Sequence, residues 1–316
     1  MSVLTSYTLV GVKYHDTVIP CSGGNISFEI SEVAAGAGQG IFNTAAAIKA
    51  VGGKISITTP CIAVAYNALG EYSRIYSTPS ETKRQLVLYF AKRKLGGVYD
   101  STGHVRVTCN QGVIVWTGLS ASHNEVAQMT YEATLISDGS GGDPMTIDTG
   151  ALPIDVAVAR IYTSGQVLID GALYDVAQMS FDPGWNVIRE GAGGLPWFTG
   201  AYINRCQPSA SFTTQEEAMI DTLTEIGSYQ AASTLFFRAF DGEVADGRAL
   251  PATEVHISIA LAQSIIMPGS MSGAWTDTSS IPVRIVPFSD PDTPLVAPHV
   301  VDVTAKIEIP PIETPP

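Results

Sequence analysis

The sequence predicts a mainly β fold with short helices, an α+β chain built as two tandem copies of one unit. Three observations predict it. Gly, Ser, Thr and Val are plentiful and only 15% of residues are charged, which suits pleated, half-buried surfaces. Apolar residues alternate with period two in "YTLVGVKY" and "QVLIDGALYDV", the spacing of strands with one buried face, and no long heptad pattern competes. The chain also repeats itself. Its 316 residues, 45% of them hydrophobic, give each copy enough material for a core.

The repeat has a spacing of about 153 residues and runs through five echoes in the same order. "ISFEISEVAAGAGQGIF" is answered by "MSFDPGWNVIREGAGGLPWF", pairing Phe28 with Phe181 and the glycines at Gly36 with those at Gly191. "KISITTPCIAVAYNALG" is answered by "SASFTTQEEAMIDTLTEIG", matching Thr58-Thr59 to Thr213-Thr214 and Gly70 to Gly227. "VLYF" at Val87 parallels "TLFF" at Thr234, and "HVRVTCNQGVIVWTGLSAS" parallels "EVHISIALAQSIIMPGSMSGA". A Ser-Asp ends the last matched strand of each copy, at Ser137-Asp138 and Ser289-Asp290. The copies are assigned to 1–152 and 153–304, with a Pro-rich C-terminal arm over 305–316, where prolines rule out a central strand.

Each copy opens with its alternating segments as strands. A helix follows: Thr59 precedes Pro60, a favoured first helical position, and Gly70 closes it. In the second copy Thr214 and Glu217 form a capping box, with Gly227 beyond. The insertion 71–85 varies between copies and is expected on the surface. "TPSE" at Thr78 is a second capping box, so 79–95 reads as helix or as strand, and "LVLYF" favours strand. Three or four strands complete each copy. The least charged window, Ile257 to Trp275, is broken by Pro268, Gly269 and Gly273 in the manner of two strands and a turn, so no membrane insertion is expected. The amino terminus lacks a basic leader before an apolar core, so a cytoplasmic site of synthesis is expected.

Charge is divided unequally. The first copy carries 10 Lys and Arg against 11 Asp and Glu, net −1; the second together with its C-terminal arm, 153–316, carries 7 against 19, net −12, giving −13 in all. A domain at −12 does not suit a general nucleic-acid binder, which displaces counterions with a basic face. The basic spots at Lys83-Arg84 and Lys92-Arg93-Lys94 are read as solvated or as facing a partner's acidic surface.

Chemistry is hard to find. "GAGQGIFN" lacks the Gly-Lys-Ser/Thr of a phosphate loop and the spacing of a dinucleotide fingerprint. Ser122 and His123 adjoin on a strand and so face opposite ways, and no Gly-x-Ser-x-Gly elbow is present. His15, His104 and His256 are scattered, and Cys21, Cys61, Cys109 and Cys206 have neither metal-ligand nor scaffold spacing, so reduced buried thiols are expected. Glu216-Glu217 suits a helix's first turn, and Asp290 with Asp292 suits a turn. Trp116, Trp185, Trp197 and Trp275 are read as core or interface anchors. No enzyme and no cofactor are expected.

The order of parts in each copy is a strand pair, a loop of small residues, one short helix and a closing strand group such as "GLSASHNEVAQMTYEATLISDGSGGDPM". This order resembles the major tail tube proteins of long, non-contractile-tailed bacteriophages. The resemblance implies a small β-sandwich or barrel flanked by a helix in each copy, with sheets that join neighbours into rings and rings that stack into a hollow tube. Family rings are six-fold, so two copies per chain imply a homotrimer with pseudo-six-fold symmetry. The implied role is structural, in the virion of a siphovirus, with DNA passing through the lumen without specific binding during ejection. The implied partners are the chain itself, the tail tape-measure protein and the terminator or distal tail proteins. Another tail component, such as a distal tail or terminator ring, or a β-sandwich binding module, is the alternative. Gly36, Gly38, Gly40, Gly191 and Gly193, with Lys83, Arg84, Lys92, Arg93 and Lys94, are the candidate subunit or ring contacts.

Overall fold

Strands form where the chain alternates, and they end where Gly, Pro or a buried Thr interrupts it. The computed structural model describes residues 6–35, 45–76, 84–93, 103–137, 143–152, 160–191, 197–216, 230–239, 256–269, 280–289 and 297–305. The fold is mainly β, with twenty strands and one short helix among the described residues. By its contacts the chain divides into two units. The first comprises Met1–Thr117, Met129–Val158 and Trp185–Cys206; the second comprises Gly118–Gln128, Ala159–Gly184 and Gln207–Pro316.

In the first unit β1 (Ser6–Tyr14) turns through His15, at φ 54°, into β2 (Thr17–Pro20). With β6 (Leu86–Arg93), β7 (His104–Cys109) and β10 (Met145–Gly150) they form an antiparallel sheet in the order β10-β7-β6-β1-β2. A second set runs β8-β9-β4-β3, from β3 (Gly23–Ala35), β4 (Ala45–Thr59), β8 (Gln111–Ser122) and β9 (Gln128–Leu135). There β5 (Tyr72–Tyr76) pairs with β8, so part of the segment expected as a surface loop is strand. The residues 86–93 are strand throughout, as "LVLYF" favours. Two hydrogen bonds tie the strand sets together, Tyr14 Oη to the Arg74 carbonyl (2.9 Å) and Thr59 Oγ1 to the Pro20 carbonyl (2.6 Å). The core includes Val12, Ile19, Leu88, Val107, Ile55, Ile57, Trp116 and Tyr131.

The helix α1 (Ile62–Leu69) buries Ile62, Ala65 and Leu69, one stripe of its surface, and sets Tyr66 edge-on to Trp116 at 5.9 Å. It starts later than the sequence suggests. Cys61 is its N-cap, and Pro60 lies outside it, because Thr59 Oγ1 is committed to the chain: it donates to Pro20 and accepts from the Cys61 amide (3.0 Å). Gly70 ends the helix at φ 64° and returns its amide to the Tyr66 carbonyl at 2.7 Å, a left-handed step that glycine takes without a Cβ penalty.

In the second unit β11 (Tyr162–Ile169), β12 (Ala172–Asp175), β13 (Gln178–Asp182), β16 (Ser209–Thr214), β17 (Gln230–Ala239), β18 (His256–Pro268) and β19 (Ile281–Pro287) form one antiparallel sheet. Its order is β12-β11-β17-β18-β19-β16-β13, with β20 (His299–Ala305) on β18 and Leu119–Ser122 of β8 on β13. Phe181, Phe212, Phe237, Ile257, Ile259 and Val283 fill its core. The apolar window at 257–275 is a single strand as far as Pro268, and its end from 270, like residues 217–229 of the helix expected between the Thr214–Glu217 capping box and Gly227 and the arm beyond 305, lies outside the described residues.

The repeat is carried into hydrogen-bond register. Gly23 faces Thr58 and Gly24 faces Ile57, as Gln178 faces Thr213 and Met179 faces Phe212. Val12 faces Leu88, which faces Val107, as Val167 faces Leu235 and Leu235 faces Ile259. The Ser22 amide donates to the Thr58 carbonyl (2.9 Å) and the Ala177 amide to the Thr213 carbonyl (2.8 Å). Thr214 repeats Thr59: its Oγ1 donates to the Asp175 carbonyl (2.8 Å) and accepts from the Glu216 amide (3.2 Å). The Ile136 amide donates to Gln111 and the Phe288 amide to Gln263, both at 3.1 Å. These registers support the Thr-Thr, "VLYF" and Ser-Asp echoes and correct one. Phe181, opposite Ala210, stands where Ile26 stands opposite Ile55, so Phe28 lies two residues beyond Phe181's counterpart and is exposed.

Candidate functional site

The hairpin that follows these registers differs between the copies. In the first, β3 and β4 stay paired from Gly23–Thr58 out to Ala35–Ala45, with one bulge between Ser31 and Glu32. In the second, the inner part is β13 and β16, and the outer part is a separate pair, β14 (Trp185–Glu190) and β15 (Gly200–Cys206). The outer part keeps its counterpart's register and its bulge. Trp185 faces Cys206 and Asn186 faces Arg205, then after the slip Val187 faces Ile203, as Ile30 faces Val51, Ser31 faces Ala50 and Glu32 faces Ile48. Ala35 faces Ala45 and Glu190 faces Gly200, so nine residues separate the paired strands in each copy.

Sequence explains the interruption. Pro183 and Pro208 have no amide to donate across the ladder. Gly184 adopts φ 66°, its amide is held by Asp182 Oδ1 (2.7 Å), and its carbonyl accepts from the Gln207 amide (3.1 Å). A Cβ on Gly184 would lie 1.9 Å from the Gln207 carbonyl oxygen. At the corresponding place in the first copy, Phe28 faces Gly53 and Glu29 faces Gly52, and the ladder continues.

Released by that break, β14–β15 belongs to the first unit. Trp185 packs edge-on against Tyr72, with ring centroids 5.4 Å apart. The Phe198 carbonyl accepts from the Ser137 amide at 2.8 Å, and Trp197 bridges to Val51 in parallel. Arg189 lies over the Phe198 ring at 4.9 Å and donates from Nη2 to Glu29 Oε2. Gly52 makes room for it, since a Cβ there would lie 2.1 Å from Arg189 Nη1. The hydrogen bond from Arg189 holds the Glu29 carboxyl below the usual carboxylate range, and the charges of Arg189 and Lys54 act in the same direction. Under this cover Ser137 is wholly buried and Ile136 is 7% exposed, whereas their counterparts Ser289 and Phe288 are partly buried.

A second surface is a polar sheet face present in both copies. Asn25, Ser56 and Glu132 stand in a row across β3, β4 and β9, and Ser180, Ser211 and Arg284 stand in the matching row across β13, β16 and β19. Ser120 extends the second row, and the Ser180 and Ser211 hydroxyls lie 2.8 Å apart. Beside them a groove of about 320 Å³ is lined by Ser122, Gln128, Gln178 and Thr213 among others. Charges on these faces are few and mixed. In the first unit Lys54 lies 3.0 Å from Glu132 and 3.8 Å from Glu29; in the second, Asp182 and Arg284 are exposed.

The contact residues expected from sequence fall unevenly. Gly36, Gly38, Gly40, Lys83, Lys94 and Gly193 lie outside the described residues. Arg84 is exposed just before β6 and accepts through its carbonyl from the Tyr76 amide (3.2 Å), while Lys92 and Arg93 end β6 beside Tyr7 and Ser6. Gly191 is exposed immediately after β14. The residues that make the β14–β15 contact, Glu29, Tyr72, Trp185, Arg189 and Phe198, were not singled out as a group by sequence reasoning. The available signal was Pro183-Gly184 and Pro208, two breaks facing each other across one hairpin.

Cys61 and Cys109 are buried, and burial, with Cys61 nearby, pushes the Cys21 thiol up to about 12, leaving it protonated. Among the described residues no group of three His, Cys, Asp or Glu is placed to hold a metal ion. No described helix is long and apolar enough to cross a membrane. The class these features define is a mainly β protein with one strand-pairing register repeated in two modules, the outer hairpin of the second lying within the first unit. No protein-family model matches the chain, and no curated protein matches its sequence.

Proposed function

We propose that the chain is a structural virion protein, the tube subunit of a long-tailed phage, assembling as trimeric, pseudo-six-fold rings that stack into a hollow conduit for DNA. The observation that carries this reading is the repetition of one strand-pairing scheme in both modules, with a hairpin of the second joined to the first. A module that receives a strand pair from the next module along the chain has the head-to-tail contact from which closed rings are made. Edge strands suit assembly as well: among the described residues β10 and β20 each pair on one side, and Ile147 and Val300 on them are 66% and 64% exposed.

The polar faces suit the wall of a conduit. A duplex carries about one negative charge per ~1.7 Å, and rows of Lys or Arg would retain it by releasing counterions. Hydroxyls and amides with balanced charges let it slide. Tape-measure and terminator or distal tail proteins are the further partners in this reading, with no cofactor.

Electron microscopy of the purified protein at rising concentration tests the proposal. Long tubes of uniform bore are the expected result. Isolated rings that never stack would assign it to a terminator or distal ring, and a monomer throughout would remove the tube reading.

A further inference from the structure

Matching strands of the two modules both start on a buried histidine. His104 opens β7 opposite Gly150, and His256 opens β18 opposite Ala305. Register makes them equivalent: Val105, next to His104, faces Phe90, and Ile257, next to His256, faces Phe237. His104 is 4% exposed and His256 is wholly buried.

In the first module the ring has a defined task. The β6–β7 ladder ends at the pair Phe90 and Val105. Two residues further along β6, the Lys92 amide donates to His104 Nδ1 at 3.2 Å, so the side chain supplies the acceptor at the place where backbone pairing stops. An imidazole accepts at Nδ1 only when it is neutral and carries its hydrogen on Nε2; a second proton makes both nitrogens donors. The Lys92 N–H would then oppose another N–H, and a buried place would hold a charge. The charged and titratable groups around it, among the described residues, are Lys92 and Arg93 on β6, Tyr7 opposite Lys92 on β1, and Arg106 on β7 with Asp148 on β10. Asp148, the carboxylate among them, is engaged by Arg106 Nε at 2.8 Å, and the surplus is cationic.

We propose that His104 is an acid-released latch: neutral, it fastens β6 to β7 at Lys92, and protonated, it opens that end of the seam while the ladder from Phe90 inward stays paired. The closed form holds no proton at Nδ1 and the open form can, so acid favours opening. This goes beyond the tube reading and does not depend on it, because every part of the latch belongs to one chain.

Residue-resolved hydrogen exchange between about pH 8 and about pH 5, the range in which histidines ordinarily change charge, tests it, with rates scaled to those of an unstructured chain at each pH. In the parent the Lys92 amide should lose protection at least ~tenfold in acid while Phe90 keeps its own. His104→Asn places a non-titrating Oδ1 where Nδ1 stood, and Lys92 should stay protected across the range. Unchanged protection of Lys92 in the parent, an equal loss at Phe90, or the same acid loss in His104→Asn would overturn the latch. If His104→Asn does not fold or leaves Lys92 unprotected at pH 8, nitrogen-15 spectra of the parent's histidines decide. They should show His104 with its hydrogen on Nε2 at pH 8 and gaining a proton as Lys92 loses protection; a hydrogen on Nδ1, or a protonated ring beside a protected Lys92, sinks the proposal.

Discussion

The two hairpins of this chain share a register and a bulge but differ in one joint. In the first module β3 and β4 run unbroken from base to end; in the second, Pro183-Gly184 opposite Gln207-Pro208 divides the same hairpin into an inner pair and an outer pair. Identical pairing on both sides of the joint shows that the outer strands need no continuity with the inner ones. A proline on each strand and a glycine able to take positive φ are enough to let the outer pair join the first unit.

Filling the joint should have the largest effect. Gly184→Ala places a Cβ against the Gln207 carbonyl at a positive φ, and a loss of about 2–4 kcal/mol is expected from the strain and the clash. Glu29→Ala, at the equivalent place on the unbroken hairpin, should cost less than about 1 kcal/mol. Urea denaturation of both variants measures the contrast, and equal losses would show that the joint is not where the modules differ.

Next come the features that the modules share. Thr59→Val and Thr214→Val each remove a buried hydroxyl and leave a carbonyl, Pro20 or Asp175, without it. Each should lose about 1–3 kcal/mol, with the two values close to each other. Local hydrogen exchange around residues 59–61 and 214–216 separates them. A large cost in one module alone would break the equivalence of Thr59 and Thr214.

The smallest effect concerns acid. The folded-state pKa of Glu29 is lowered, so its pairing with Arg189 contributes fully above the ordinary carboxylate pKa and is lost as pH falls through the lowered folded value. The pair is partly exposed, and its worth is below about 1 kcal/mol. Protease access to β14–β15 should rise in acid in the parent and respond less to acid in Glu29→Gln. Matching pH profiles would mean that Trp185 on Tyr72 and the Phe198 carbonyl hold the hairpin without the ion pair.

Much of this architecture could be read from the sequence because local chemistry sets it. Thr-Thr before the first helix, Gly70 after it and "VLYF" matched to "TLFF" all found their structural counterparts. The helix entrance was displaced because Thr59 bonds to Pro20, a residue distant in sequence. Pairing Phe28 with Phe181 rewarded similarity between rings, whereas register is fixed by the partner strand, and Phe28 sits on the outgoing hairpin opposite Gly53. The hairpin contact was invisible for the same reason: Arg189 and Glu29 are joined only after the chain breaks at Gly184 and the outer pair returns to the first unit.

That return also dictates an order of events during synthesis. The first unit includes Trp185–Cys206, and the second includes Gly118–Gln128 from the earlier half of the chain. A ribosome that has released the first 152 residues has therefore completed neither. At ~5–20 residues per second, the stretch from 153 to 206 follows on the order of 3–11 s later. Through that interval the place that Trp185 and Phe198 will cover is open on the nascent chain. The hairpin thus acts as a timer: the first unit is finished only after the start of the second copy has been made.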